Sequence, residues 1–457
     1  MRGSTVSNIS SRSAVLGRSF RKHFPAAARG EGAYIWDADG KQYLDFSGSA
    51  AVNFIGHGVP EIATAVAAQL KHLEFVHSSQ FTTPLAEEYA AELLAFAGKN
   101  FQDGCVYFTC GGSEAIETAL KLARQYQVEI GQIKRHRIIS RGQSYHGSTL
   151  GALAVSGNKR RREIYLPMVR EFARIAFPYC YRCAFDCIDS CRNCGREYAA
   201  DLERVIEASN SEAAAFIFEP VSGATLGAVV PPPGYPQSVS EICHRKEILL
   251  IADEVMTGMG RTGRNFAIEH WQVAPDIVVT AKGLSSGYAP LGAVLVSKKV
   301  ADAIADGSGA FVHGFTYNAH PISLAAGRAV LLFLRAQKLI QAADVEQKGS
   351  PAAALKTALE SLRNAKSVGD VRGIGLLWAV EFVADKTTKQ PFPAELNFAG
   401  RVAQAAIKRG LLVYPMQGCV DGVAGDHLLI APPAIITAKQ IAWAVEQLGA
   451  AIDDPAN

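Results

Sequence analysis

Two runs in the middle of the chain, Glu247-Ile-Leu-Leu-Ile-Ala and Asp276-Ile-Val-Val-Thr, have interiors made only of apolar residues. A strand with one wet face alternates apolar and polar positions, so these runs predict strands covered on both faces. Val106-Tyr-Phe-Thr, Arg137-Ile-Ile-Ser and Ala215-Phe-Ile-Phe repeat the pattern upstream. Between the first two of these the period changes: Ile116, Ala119, Leu120 and Ala123 stand at i, i+3, i+4 and i+7, the buried stripe of a helix that starts at Ser113. Strands alternating with helices predict a parallel sheet joined by crossover helices. Helical patterns also cover residues 60–73, 323–337 and 398–409. Residues 30–46 read as a hairpin with Asp39-Gly40 as its turn. The C-terminal region, including residues 368–382, has mixed α/β character, and no repeat or low-complexity linker interrupts the chain.

Composition narrows the classes. A chain of 457 residues, 49% hydrophobic, has ample material for a core and a length that suggests about two or three domains. Its net charge of +3 gives no sign of a nucleic-acid or polyanion binder. No apolar run approaches the roughly 20 residues of a membrane span. Arg2, Arg12, Arg18, Arg21, Lys22 and Arg29 all precede the first acid, Glu31, so a mitochondrial presequence is one reading of the start. An ordinary terminus on a cytoplasmic protein is the preferred one, and the nine cysteines then sit in a reducing compartment.

The chemistry lies at the strand ends. Asp253 closes one apolar run and Lys282 follows the other, 29 residues later. C-terminal strand ends are where open α/β sheets bind ligands. A lysine there can form an imine with an aldehyde cofactor, and an aspartate can keep a pyridine nitrogen protonated, which is the pair that pyridoxal phosphate requires. A lone charge at a strand end is ordinarily just solvated, so the pair needs company. Phe108-Thr-Cys-Gly111-Gly112-Ser113-Glu114 joins a strand to a helix, and glycines ahead of a helix start suit a phosphate. Ser113 taken alone reads as a helix cap. Tyr145, in Ser144-Tyr145-His146-Gly147, offers a flat ring to a flat cofactor. Val255, two residues past Asp253, is expected on the same strand face, covering the ring's other side. Gly258-Met-Gly260-Arg-Thr-Gly263 fits the dinucleotide fingerprint, but a poor helix opening follows it, so a dehydrogenase ranks far below.

Together these segments resemble the class III pyridoxal-phosphate-dependent aminotransferases of fold type I. The resemblance runs from the Gly30-Glu-Gly segment through Gly-Gly-Ser-Glu-Ala, Tyr-His-Gly-Ser-Thr, Phe218-Glu219-Pro220-Val221, Ala-Asp-Glu-Val and Ala-Lys-Gly to Ala431-Pro432-Pro433. It implies an α/β fold: a large domain over residues 76–335 with a mostly parallel seven-stranded sheet. A small α/β domain would come from both chain ends, residues 1–75 and 336–457. It implies Lys282 as the imine-forming base, Asp253 at the ring nitrogen and Glu219 beside the substrate. Gly112 and Ser113 would bind phosphate, with Tyr145, His146 and Val255 around the ring. Thr316 would reach the phosphate of a neighbouring subunit, in a homodimer or dimer of dimers with shared sites. The implied reaction moves an amino group from an amine or amino acid to an oxo-acid. A decarboxylase or aminomutase on the same scaffold, or a non-enzymatic relict, are the alternatives.

Three positions depart from familiar branches. Ser148, Tyr414 and Leu429 stand where relatives often carry the arginines that grip substrate carboxylates. A dicarboxylate such as 2-oxoglutarate is therefore disfavoured, and pyruvate or a similar small oxo-acid is expected. It would be held by backbone groups or by an arginine elsewhere, with Lys159-Arg160-Arg161-Arg162 as one source. Five of the nine cysteines fall within residues 180–194. Cys180, Cys183, Cys191 and Cys194 have the C-x₂-C-x₇-C-x₂-C spacing of a structural zinc site, with Cys187 left over. Thiols in a loop or a pair of disulfides fit the same residues.

Overall fold

The computed structural model describes residues 14–17, 19, 24–185 and 194–455. Most of the basic N-terminal segment, together with Cys187 and Cys191, lies outside the described residues. The chain opens on a small sheet of β1 (Ala27–Glu31), β2 (Tyr34–Asp37) and β3 (Gln42–Asp45). The expected Asp39-Gly40 turn joins β2 to β3, with Gly40 at φ +83°. The Asp37 carboxylate organises it by accepting from the N–H groups of Asp39 (3.1 Å) and Lys41 (2.9 Å) and from the Tyr43 hydroxyl (2.7 Å).

Seven strands build the main sheet: β4 (Cys105–Thr109), β5 (Arg137–Arg141), β6 (Arg174–Ile175), β7 (Ala213–Phe218), β8 (Leu249–Asp253), β9 (Ile277–Thr280) and β10 (Gly292–Val296). Their order is β4-β10-β9-β8-β7-β5-β6. β6, β5, β7, β8 and β9 run parallel, and β10 is antiparallel to both of its neighbours. The apolar runs are explained by two-sided burial. In β8, Leu249 and Ile251 face a core that includes Ile116 and Ala119 of the helix Gly112–Glu129. Leu250 and Ala252 face the opposite, larger core. No position in such a strand meets water, so no polar residue interrupts it.

The helix Pro60–His72 starts where its pattern predicts. Pro321–Ala336 starts two residues before the expected 323, because proline suits the first helical turn, where its missing N–H is not needed. Beyond it, β11 (Val368–Ile374), β12 (Leu377–Phe382), β13 (Leu411–Leu412), β14 (Tyr414–Gln417) and β15 (Asp426–Ile430) follow. β13 pairs in parallel with β3, joining the two chain ends, while β11-β12-β15-β14 form a third sheet. No helix among the described residues is long and apolar enough to cross a membrane.

Candidate active site

Five strands of the main sheet deliver their C-terminal ends to one place. Beyond β4 come Gly111, Gly112 and Ser113; beyond β5, Tyr145 and His146; beyond β7, Glu219. β8 ends on Asp253, and Lys282 lies two residues past β9. A cavity of about 460 Å³ opens between them. Gly112, Ser113, Tyr145, His146, Glu219, Asp253, Val255 and Lys282, all expected from the sequence, line it.

Asp253, the last residue of β8, and its neighbour Glu254 serve different surroundings. Glu254 is tied into the following turn, accepting from the Ile268 N–H at 2.7 Å and from the Thr257 hydroxyl, and burial lifts its carboxyl to a pKa of about 7. Asp253 faces the cavity. Its Oδ2 lies 2.6 Å from His146 Nδ1 and its Oδ1 accepts from the Val255 N–H at 3.1 Å. His146 is itself buried, with its backbone N–H donating to Ser156 Oγ at 2.9 Å and its Nε2 left without a partner among the described residues. The imidazole and the Val255 N–H thus fix the carboxylate at the cavity lining.

Val255 does line the cavity, but not for the expected reason. β8 stops at Asp253, and Val255 belongs to the turn that follows, where its Cγ1 would lie 3.1 Å from a Cβ built on Gly112. Side-chain bulk at Gly112 would fill the cradle. Gly111, not Ser113, is the cap residue of the helix Gly112–Glu129, so the first helical N–H groups face the cavity free of a side-chain cap. Ser113 Oγ instead accepts from the Ser148 N–H at 3.1 Å.

Lys282 has φ +44°, in the left-handed region that costs a non-glycine residue about 1–3 kcal/mol. Among the described residues no carboxylate forms an ion pair with its amine. Burial lowers its proton affinity to a pKa of about 8; Asp253 and Glu219 oppose the shift, and the Arg161 and Arg261 charges add to it. Glu219 Oε1 accepts from the Gly223 N–H at 2.8 Å, and burial raises its carboxyl above the usual range.

Several residues here were not singled out from sequence. Arg141 Nη2 donates to the Glu219 carbonyl at 2.6 Å. The loop after Glu219 is held from the C-terminal sheet: His427 Nε2 lies 2.8 Å from Ala224 O, and Arg372 Nε donates to Gly227 O at 2.7 Å. The glycine motif 258–263 opens no helix of the dinucleotide type. Its Arg261 is buried and donates to the carbonyls of Ala431 (3.1 Å), Pro432 (2.6 Å) and Asn53 (3.0 Å), tying the Ala-Pro-Pro segment down.

Thr316, expected to reach a neighbouring subunit, is exposed and outside this chain's own cavity, and Cys110 Sγ lies 3.6 Å from the carbonyl of the adjacent Tyr317. Of the four expected zinc ligands, Cys191 is outside the described residues. Among the described residues no group of three or more histidines, cysteines or acids is gathered to hold a metal, so Cys180, Cys183 and Cys194 form no such site there. Cys194 lies on the helix Cys194–Ala208 with its side chain buried in the main core.

The chain matches the sequence model of the Aminotransferase class-III family over residues 17–452. It is 41% identical over 416 residues to the uncharacterized aminotransferase YodT of Bacillus subtilis, covering 91% of each chain. It is 36% identical to the uncharacterized aminotransferase C1771.03c of Schizosaccharomyces pombe, covering 94% of this chain and 92% of that one. Among solved structures, a PLP-bound amine transaminase from an uncultivated Pseudomonas species superimposes with a TM-score of 0.88 at 34% identity, over 99% of this chain and 100% of the other. An (S)-enantioselective omega-transaminase from Thermomicrobium roseum gives 0.86 at 37% identity, over 95% and 93%. With the seven-stranded sheet and its strand-end cavity already in place, these likenesses put the chain among the class III aminotransferases, pyridoxal-phosphate-dependent enzymes of fold type I.

Proposed function

We propose that the protein transfers an amino group from an amine or amino acid to a small oxo-acid, pyruvate before 2-oxoglutarate, with Lys282 as the covalent and proton-moving group. The observation that carries this reading is the unpaired amine of Lys282 in the same cavity as the His146-braced carboxylate of Asp253. The donor set fits pyridoxal phosphate: an amine, a carboxylate, a bare helix start for the phosphate and an aromatic wall. Bound there, the cofactor supplies an aldehyde carbon for amines and a protonated pyridine ring that withdraws electrons.

The protein's own share follows from the positions. The first N–H groups of the helix Gly112–Glu129, with Ser113, hold the phosphate. Tyr145 and Val255 confine the ring, and Asp253 holds the proton on its nitrogen. Lys282 Nζ would hold the cofactor through its aldehyde and, as a neutral amine, would be the base that moves the proton of the donor carbon. Glu219, with its raised proton affinity, lies beside the substrate. Two copies share their sites, Thr316 of each reaching toward the other's phosphate; the exposure of Thr316 beside the phosphate loop supports this. The pairing of β13 with β3 supports a small domain drawn from residues 1–75 and 336–457, around a large domain of residues 76–335.

The pyruvate preference rests on Ser148, Tyr414 and Leu429, none of which supplies a guanidinium. A lost charge-assisted pair is worth about 1.5–3 kcal/mol, roughly 10–100-fold. The kcat/KM for pyruvate should therefore exceed that for 2-oxoglutarate by about tenfold with a common amine donor. The reverse ranking would overturn this assignment.

A pH prediction also follows. Only the neutral amine attacks an aldehyde, and the neutral fraction of Lys282 rises until pH passes its pKa of about 8. The second-order rate at which apo-protein takes up pyridoxal phosphate, read by stopped-flow absorbance, should climb about tenfold per pH unit below 8 and level off above it. A climb continuing toward 10.5, the ordinary lysine value, would show that the amine is not held neutral.

A further inference from the structure

The basic run Lys159–Arg162 is a short helix capped by Asn158, whose Oδ1 accepts from the Arg161 N–H at 3.2 Å. Its arginines have separate fates. Arg162 is buried, donating from Nε to the Leu153 carbonyl (3.1 Å) and from Nη2 to Glu171 (2.7 Å). Arg160 Nη1 donates to Gln417 Oε1 at 3.0 Å. Arg161 turns to the active site, with its guanidinium carbon 4.3 Å from the centroid of the Tyr145 ring. Its Nη2 lies 3.9 Å from Met416 Sδ, and no carboxylate among the described residues pairs with it.

Met416 lies two residues beyond Tyr414 on β14, hence on the same strand face. Tyr414 is the position at which pyruvate-using relatives were expected to carry their arginine. A guanidinium from another element therefore lies between Met416 of β14 and Tyr145, which lines the cavity, while Arg161 and Met416 themselves line a neighbouring cleft. Its planar fork of five donors is matched to a carboxylate, and among the described residues those donors are met only by an aromatic face and a thioether.

We propose that Arg161 is the residue that grips the carboxylate of the amino-acid donor and of the oxo-acid acceptor. The assignment rests on the aminotransferase reading above and names its substrate class: monocarboxylates, since one guanidinium grips one carboxylate. The stacked Tyr145 ring holds the guanidinium in one orientation, so less side-chain freedom is lost on binding. The Arg161 charge also acts against protonation of Lys282, in keeping with its position over Tyr145. A substrate carboxylate seated on Arg161 would remove that influence and raise the proton affinity of Lys282.

The test compares wild-type holoenzyme with Arg161→Gln and Arg161→Lys. Calorimetric titration with propionate, a carboxylate that cannot react, reads binding without turnover. The Gln variant should bind propionate at least about tenfold more weakly, and the Lys variant should recover part of the loss. In turnover, Gln should lower kcat/KM for alanine at least about tenfold more than for isopropylamine, which lacks the carboxylate. Equal losses for the two donors would make Arg161 only a support for Tyr145 and overturn the proposal. Unchanged propionate binding would overturn it too. Failure of the aminotransferase reading looks different: wild-type protein that takes up no pyridoxal phosphate while propionate binding still depends on Arg161.

Discussion

Lys282→Ala should abolish turnover, lowering kcat by at least about 10⁴-fold at saturating donor. A positioned general base alone contributes about 10²–10⁴-fold, and this lysine also gives up its role as the covalent anchor. After borohydride reduction in the presence of pyridoxal phosphate, peptide mass spectrometry should find the phosphopyridoxyl group on Lys282 in wild type and on no cavity residue in the variant. The fold should tolerate the change. Alanine at φ +44° is no worse placed than lysine, and the lysine is itself a burden: its folded pKa of about 8 lies below the ordinary 10.5. Folding therefore weakens proton binding, so the amine costs stability in full below pH 8, and the cost fades as pH rises toward 10.5. The apo variant should melt no lower than apo wild type at pH 7, with any advantage shrinking between pH 8 and 10.5. A variant that retains turnover within about tenfold, with the label on another lysine, would remove Lys282 from the mechanism.

What sequence alone conveyed follows from the range of the forces involved. β8 and β9 were legible because burial on both faces writes itself into consecutive residues. The residues closing the strand ends were legible because a charge directly after such a run has few structural uses. The antiparallel β10 was missed: Gly292–Val296 is as apolar as its neighbours, and nothing within five residues encodes direction. Arg261 and Arg372 were missed because their partners are backbone carbonyls about 145 to 210 residues away, which no local pattern marks. The pairing of His146 with Asp253, 107 residues apart, escaped for the same reason. Val255 shows the converse, a correct position reached through a strand that in fact ends two residues earlier. The cysteine spacing suggested a metal because spacing was all that sequence offered. Cys191 lies outside the described residues, and the burial of Cys194 in the main core leaves no trace in the interval between cysteines.

Asp253→Asn tests the other half of the site. Asparagine keeps the shape of the side chain and still offers an oxygen to His146 Nδ1, now 2.6 Å from the carboxylate, so the cavity should persist and cofactor affinity should change by no more than about tenfold. What disappears is the buried negative charge. Breaking a buried charged pair costs about 3–5 kcal/mol, and at about 1.4 kcal/mol per tenfold the centre of that range corresponds to about 10³-fold. The loss should fall on the step at which the donor carbon gives up its proton, because it is there that a ring nitrogen kept protonated by Asp253 would draw off the electron pair left behind. The half-reaction rate with alanine should therefore drop about 10³-fold. The primary isotope effect with 2-deuterated alanine should rise above that of wild type, since proton removal alone would then limit the rate. An isotope effect that stays the same while the rate falls would place the loss in binding. A rate within about tenfold of wild type would mean that Asp253 serves only to orient His146.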